Sequence, residues 1–252
     1  MKAMIFAAGL GMRLQSLTSG TPKALVPVAG VPLLEHCLRT LQQQGFDQVV
    51  LNVHHYADQI ESYLKKRPQG CQQVLISDER TCLLETGGGL KKAASLLLNG
   101  FDHSDEQEDV LIHNVDILSN IDLSRMMRLH KQCSADATLA VSKRNSSRLL
   151  YFDAELNLRG WKNAKTGEQK PLPFNENEYI SMAFSGIHIV SAQVLQDLQS
   201  WPERFPIMDY YLGSLDKRHF HAYTQADMKV LDVGKPEAVE KADRFIHEMN
   251  IN

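Results

Sequence analysis

The residues with the most evident chemistry stand near the N-terminus. An apolar run, Ala3 to Ala8, ends in Gly9-Leu10-Gly11-Met12-Arg13-Leu14, and Lys23 follows behind Pro22. Two glycines at a strand end let backbone N–H groups approach phosphate oxygens closely. The Arg13 guanidinium is a planar fork matched to such oxygens, and the Lys23 ammonium is a compact point charge. Two cations beside exposed amides suit a triphosphate, whose charge must be offset in two places. The same residues also fit a plain turn carrying two surface charges. Two familiar phosphate loops are excluded. A dinucleotide fingerprint needs a third glycine where Leu14 stands and a helix that starts at once, whereas Thr18 to Pro22 is turn-like. A P-loop needs a Gly-Lys-Ser/Thr run, which is absent.

Two aspartates form a second constellation. Asp116, in Asn114-Val115-Asp116, and Asp232, in Leu231-Asp232-Val233-Gly234, each close a predicted strand. As the ends of parallel neighbours they would share one sheet edge. Two carboxylates with phosphate oxygens and waters make a Mg²⁺ site. Either aspartate alone also fits a turn or a helix cap. The ten histidines do not suggest zinc: His54-His55 and His219-x-His221 are spaced too closely to share a helix face, and no His-Glu-x-x-His run occurs. The four cysteines, Cys37, Cys71, Cys82 and Cys133, contain no C-x-x-C pair and read as reduced thiols.

The elements that must position these groups follow from the hydrophobic pattern. Ala3 to Ala8 suits a strand buried on both faces. Leu33, Leu34, Cys37, Leu38 and Leu41 recur at helical spacing after Pro32, and Gly45 closes that helix. Val49–Val53, Val74–Ile76 and Asp109–His113 read as strands; Tyr56 to Leu64, Leu90 to Leu98 and Ile121 to Cys133 read as helices. This alternation predicts an α/β fold, a Rossmann-like, mostly parallel twisted sheet with helices on both faces and its ligand edge at the strand ends. The second half predicts strands at Ala137–Ser142, Ser185–Val190, Phe220–Tyr223 and Met228–Leu231, and a hairpin from Leu149–Phe152 and Leu158–Trp161. A polar loop follows over Lys162–Glu178. Ser191 caps a helix through Leu198, and Pro236 opens a final one to Met249. One domain, 1–252, with a small inserted β subregion is expected.

Composition bounds the partners. Lys and Arg total 27 against 30 Asp and Glu, a net charge of −3, with 43% hydrophobic residues. Such a chain is globular, and it lacks the concentrated basic surface that nucleic-acid binding requires. No apolar stretch approaches a membrane span, and the N-terminus does not read as a secretory signal, so a cytoplasmic protein is expected.

Taken together, Ala7 to Leu14, Thr21-Pro22-Lys23-Ala24-Leu25-Val26-Pro27-Val28 and Gly30-Val31-Pro32-Leu33 resemble the signature of sugar-1-phosphate nucleotidyltransferases. Leu84-Glu85-Thr86-Gly87-Gly88-Gly89 resembles a second segment of that family, in the form found in N-acetylmuramate-1-phosphate uridylyltransferases. Phe184-Ser185-Gly186-Ile187 and Leu231-Asp232-Val233-Gly234 are similar to later segments. The resemblance is strong to about residue 120 and patchy beyond it. It implies a nucleotide-diphospho-sugar transferase fold, with residues 1–120 on the nucleotide side and 135–225 on the sugar side. It implies Arg13 on the triphosphate and Lys23 on the reacting phosphates. Ala8, Gly9 and Gly11 would line the nucleotide through their backbone, and Glu85, Gly87 and Gly88 would pass near base and ribose. Asn114, Ser185 and Gly186 fall on the sugar side, and Asp116 and Asp232 would hold Mg²⁺. Val115 departs from the small residue usual in that motif, which predicts a different local backbone.

The implied reaction joins a nucleoside triphosphate to a sugar 1-phosphate and releases pyrophosphate, in a monomer or homodimer. UTP is the first expectation for the base, and GTP with a mannose- or heptose-type phosphate the second. A catalytically silent nucleotide-sugar-binding subunit and an alcohol-phosphate cytidylyltransferase share the same fold class. Retention of Arg13, Lys23, Asp116 and Asp232 favours an enzyme. Trp161, Tyr179, Glu176, Glu178, Arg144 and Arg148 fall in the sugar half, where packing explains the two aromatics better than a sugar contact does and a solvated loop explains the four charged residues at least as well.

Overall fold

A computed structural model of the chain describes residues 1–9, 20–68, 72–98, 109–171, 175–234 and 236–249. The first half runs β1 (Lys2–Phe6), β2 (Pro27–Val28), β3 (Val31–Pro32), α1 (Leu33–Gln43), β4 (Gln48–Val53), α2 (Ala57–Lys65), β5 (Gln73–Asp78), α3 (Glu85–Leu98), β6 (Val110–Asn114), β7 (Ile117–Ser119) and α4 (Leu123–Gln132). The second half runs β8 (Ala137–Ser142), β9 (Arg148–Phe152), β10 (Leu158–Asn163), β11 (Gln169–Lys170), β12 (Ile180–Val190), α5 (Ala192–Asp197), α6 (Ile207–Gly213), β13 (Phe220–Tyr223), β14 (Val230–Asp232) and α7 (Pro236–Met249).

The apolar N-terminal run is central because both of its faces are covered. Ala3 and Ile5 face a layer built by Leu34, Leu38 and Leu41 of α1, Ile60 of α2 and Met126 of α4. Met4 faces the opposite layer, with Leu90, Ala93 and Leu97 of α3, Leu195 of α5 and Tyr210 and Tyr211 of α6. The main sheet runs β11-β10-β9-β12-β6-β1-β4-β5, with β8 also on β12 and β13 on β8. β6, β1, β4 and β5 are parallel, as expected of strands joined by helical crossovers. β12 is antiparallel to β6, β8 and β9 and so joins the two halves. The sheet is mixed, with helices on both faces.

Most predicted elements are present within a residue or two. Three differences matter. Helix α3 begins at Glu85 rather than Leu90, so the three glycines lie inside its first turns. Helix α6, the β2–β3 hairpin, β7 and the Ile180–Phe184 part of β12 are not anticipated by the periodicity. The polar stretch 162–178 contains β11, paired with β10, and a 3₁₀ turn at Glu176–Glu178. Among the described residues no helix is long and apolar enough to cross a membrane.

Candidate active site

Lys23, Asp116 and Asp232 come from three distant stretches and meet at one place. Lys23 opens a single 3₁₀ turn after Pro22, anchored by buried Ala24. Asp116 follows the carboxyl end of β6. The Lys23 ammonium and the Asp116 carboxylate form an ion pair with side chains only 15% and 19% exposed. Asp232 ends β14, and the Val233 N–H donates to the Asp116 carbonyl at 2.8 Å. The Gly234 N–H donates to Asp232 Oδ1 at 2.8 Å. A Cβ on Gly234 would lie 2.7 Å from Asp232 Oδ1 and 3.3 Å from Lys23 Nζ, so the missing side chain leaves the gap across which these charges face each other.

Apolar packing brings them together. Val26, Leu118 and Val233 belong to one small cluster with Val28, Leu33 and with Ala242 and Ile246 of α7. Each of the three flanks one of the charged residues, so burying the cluster delivers Lys23, Asp116 and Asp232 to its rim. The route of Asp232 corrects the sequence expectation. Its strand is not a parallel neighbour of β6 but pairs antiparallel with β7 in a separate two-stranded sheet, Asp232 opposite Ile117. Val115 is buried, and its N–H donates to Phe6 O at 3.1 Å, extending the β1–β6 ladder to the threshold of Asp116.

The strand-end loop begins at Ala7, Ala8 and Gly9. A Cβ on Gly9 would meet no heavy atom within 4 Å among the described residues. Gly11 and Arg13 lie outside the described residues. Two residues absent from the sequence reasoning act here. Asn52 Oδ1 accepts from the Ala7 N–H at 2.7 Å and the Ala8 N–H at 3.2 Å. Asn52 Nδ2 donates to Glu79 Oε1 at 2.7 Å, and Glu79 Oε2 accepts from the Leu84 N–H at 3.2 Å. The available signal was a lone amide inside an apolar strand, Val49-Val50-Leu51-Asn52-Val53, because a buried polar group needs partners.

The start of α3 is packed rather than open. A Cβ on Gly87 would overlap the Phe205 ring, and one on Gly88 would overlap the Glu203 carbonyl. The N–H groups of Gly87 and Gly88 both donate to Phe205 O, at 2.8 and 3.2 Å. Glu85 enters the helix with φ +63°. Its carboxylate is solvent-exposed and pairs with Arg204 Nε at 3.2 Å. Behind this segment lies a cavity of about 590 Å³ bordered by Leu84, Gly88, Lys91, Ser95, Leu195 and Glu203; neither Lys23 nor the two aspartates line it.

On the sugar side Asn114 and Gly186 are together. Gly186 has φ +76°, and a Cβ there would sit 2.8 Å from Asn114 Nδ2. Ser185 is fully buried, and its Oγ has no hydrogen-bond partner among the described residues. Glu176 binds Lys162 at 2.7 Å and the Tyr151 hydroxyl at 3.0 Å. Arg144 donates to Phe184 O at 2.7 Å, Glu178 accepts from Asn175, and Trp161 packs on the core. His113, on β6 before Asn114, touches Cys37 Sγ at 3.3 Å. Burial pushes the His113 imidazole down to about 4, against the upward pull of its Asn114 carbonyl bond and of Asp116. Burial also pushes the Cys37 thiol far up. Both are neutral and inert beside the charged cluster.

Among the described residues no group of three His, Cys, Asp or Glu could hold a metal. The candidate donors are the carboxylates of Asp116 and Asp232. That set fits magnesium, which takes one or two protein carboxylates and fills its remaining positions with water and phosphate oxygens.

A family model described as nucleotidyl transferase matches residues 2–249. N-acetylmuramate alpha-1-phosphate uridylyltransferase of Caulobacter vibrioides is 47% identical over 100 residues, 39% of this chain and 41% of that protein. D-glycero-alpha-D-manno-heptose 1-phosphate guanylyltransferase of Aneurinibacillus thermoaerophilus is 28% identical over 97% of each chain. Among solved structures, UDP-glucose pyrophosphorylase from Acinetobacter baumanii superposes with a TM-score of 0.76 at 21% identity, over 97% of this chain and 92% of the other. HddC from Yersinia pseudotuberculosis superposes at 0.73 with 23% identity, over 97% and 99%. These two superpositions speak for the fold.

Proposed function

The chain belongs to the nucleotidyl transferase family and is an enzyme of the sugar-1-phosphate nucleotidyltransferase kind, and we propose that it transfers a uridylyl group from UTP to a sugar 1-phosphate in the cytoplasm. The observation that carries the site assignment is the meeting of Lys23, Asp116 and Asp232 around Gly234.

In the reaction a phosphate oxygen of the sugar 1-phosphate attacks the α-phosphorus in line. The new P–O bond forms as the bond from that phosphorus to the bridging oxygen breaks, and pyrophosphate leaves with the electron pair. The nucleophile is already an anion near neutral pH, so no strong general base is required. The protein must align two anions that repel and offset the charge that moves between them. Lys23 is held by Asp116 at the mouth of the site, aimed and partly desolvated. An arriving phosphate competes with Asp116 for that ammonium, so Lys23 turns to the α-phosphate without crossing the site. Arg13 is assigned to the departing pyrophosphate. Asp116 and Asp232 would hold Mg²⁺, which when bound neutralises phosphate charge. Asn114, seated on Gly186, is assigned to the sugar phosphate.

The 47% identity to a uridylyltransferase supports UTP. A second reading, GTP with a mannose- or heptose-type phosphate, is supported by the guanylyltransferase that aligns over 97% of both chains. Pyrophosphate release with Mg²⁺, measured over four triphosphates and a panel of N-acetylmuramate, glucose, mannose and heptose 1-phosphates, decides between them. Release must depend on both substrates. Silence across the panel, with nucleotide sugars still binding in a thermal-shift assay, would favour a non-catalytic subunit.

A further inference from the structure

We propose that Asn52 and Glu79 are positioning residues that set the spacing between the strand-end loop and the α3 segment, and through it the fit of the nucleotide. This rests on the reading of those two segments as the nucleotide side. A single hydrogen-bonded chain connects them. The Ala7 and Ala8 N–H groups donate to Asn52 Oδ1, Asn52 Nδ2 donates to Glu79 Oε1, and the Leu84 N–H donates to Glu79 Oε2. Ala7 and Ala8 lead directly into Gly9, and Leu84 leads directly into Glu85 and Thr86. The chain thus ties residues 7–9 to residues 84–86, which share no strand pairing.

The residue types are those the geometry demands. Glu79 is 0% exposed and forms no ion pair with a cation among the described residues. A buried, unpaired carboxylate opposes stability unless its oxygens are hydrogen-bonded. Packing alone would favour an apolar residue or an amide at this position. Only a carboxylate, however, offers two acceptors to two donors approaching from opposite sides. Asn52 must be an amide for the complementary reason, since it accepts from Ala7 and Ala8 at one end and donates to Glu79 at the other. The Glu79 backbone is itself fixed: its N–H donates to Val53 O at 2.7 Å and its carbonyl holds His54 Nδ1 at 2.7 Å. Gly89 completes the seat, because a Cβ there would lie 2.8 Å from Glu79 Oε1. A displacement of about 1 Å in either segment is enough to spoil an aligned phosphoryl transfer.

The test uses role exchange. Glu79→Gln leaves one acceptor where two are needed, and Asn52→Asp sets a second carboxylate against the first. Combined, the two changes restore every bond: the new carboxylate at 52 accepts from Ala7, Ala8 and the new amide at 79, whose oxygen accepts from Leu84. Each single variant should raise KM for UTP at least about tenfold while KM for the sugar phosphate stays within about twofold, and the double variant should return to within about threefold of wild type. Thermal melts establish the folded fraction. If the single variants do not fold, Glu79→Asp keeps both acceptors on a shorter stem, and wild-type KM for UTP in that protein overturns the proposal. So do folded single variants with wild-type KM, equal effects on both substrates, or a double variant no better than the worse single. Calorimetry with each of the four triphosphates separates the two levels: a wild-type chain that binds none overturns the nucleotide assignment, whereas variants that bind as wild type overturn only the positioning role.

Discussion

Two glycine-bearing segments flank the same strand ends, and they use glycine for opposite purposes. At Gly9 the space a side chain would fill is open among the described residues. At Gly87 and Gly88 that space is filled by the Phe205 ring and the Glu203 carbonyl, and the backbone N–H groups are spent on Phe205 O. Around the first segment no described residue takes up that space; the second segment makes room for the protein. Three consecutive glycines cost a helix about 1 kcal/mol each in propensity relative to alanine, yet α3 begins before them. Tertiary contact with the 203–205 loop overrides the local preference. A glycine-rich motif therefore reports close approach, and only the surroundings say what approaches.

The contrast can be broken in several ways. The largest effect is expected at the charged cluster beside the open segment. Lys23→Ala removes one preorganised cation and should lower kcat/KM by the equivalent of about 3–4 kcal/mol in protein that urea unfolding shows to be folded. Near-full turnover in a folded Lys23→Ala protein would remove Lys23 from the mechanism. Next in size, Gly88→Ala forces a Cβ against a backbone carbonyl and should cost about 1–3 kcal/mol of stability by urea unfolding. A variant as stable as wild type would show that the packed segment is not packed.

The core behind Phe205 supplies a third, pH-dependent test. His188 stacks near Phe184 and edge-on to Tyr211, and neither ring nitrogen has a hydrogen-bond partner among the described residues. Burial pushes its imidazole from 6.5 down to about 3. The unfolded chain therefore takes up a proton that the native state refuses, so stability is full above 6.5 and falls as pH drops from there toward 3. At pH 5 the loss from this group is on the order of 2 kcal/mol. Urea midpoints of wild type and His188→Leu, compared at pH 7 and pH 5, should show a flatter dependence in the variant; parallel curves would assign the acid sensitivity elsewhere. The smallest effect belongs to the open segment. Gly9→Ala should leave stability within about 0.5 kcal/mol of wild type and act on KM for the nucleotide. A large loss of stability there would close the gap between the two segments.

Much of the first half was legible because its signals are local. The continuous apolar run of β1, the helical stripe of α1 ended by Gly45 and the strand-helix alternation follow from burial on two faces and from helical period. The Ser191 cap was readable too, with its side chain accepting from the Val194 N–H. Helix α6 was not legible, since Ile207 to Gly213 is too short for a period to declare itself. Ser185 was assigned to the sugar side by motif, and only the structure shows that it is fully buried. Asn52 and Glu79 carried only the faint signal of polar groups in apolar surroundings.

The sequence by itself determined the inventory: which residues carry charge, which runs are buried, and which family the ordered motifs belong to. Those properties depend on near neighbours in the chain. The tertiary structure alone decided how Lys23, Asp116 and Asp232 come together, because the cluster of Val26, Leu118 and Val233 that gathers them draws on segments up to about two hundred residues apart. It also decided that Gly87 and Gly88 face protein, because an absent side chain acquires meaning only from what folds against it.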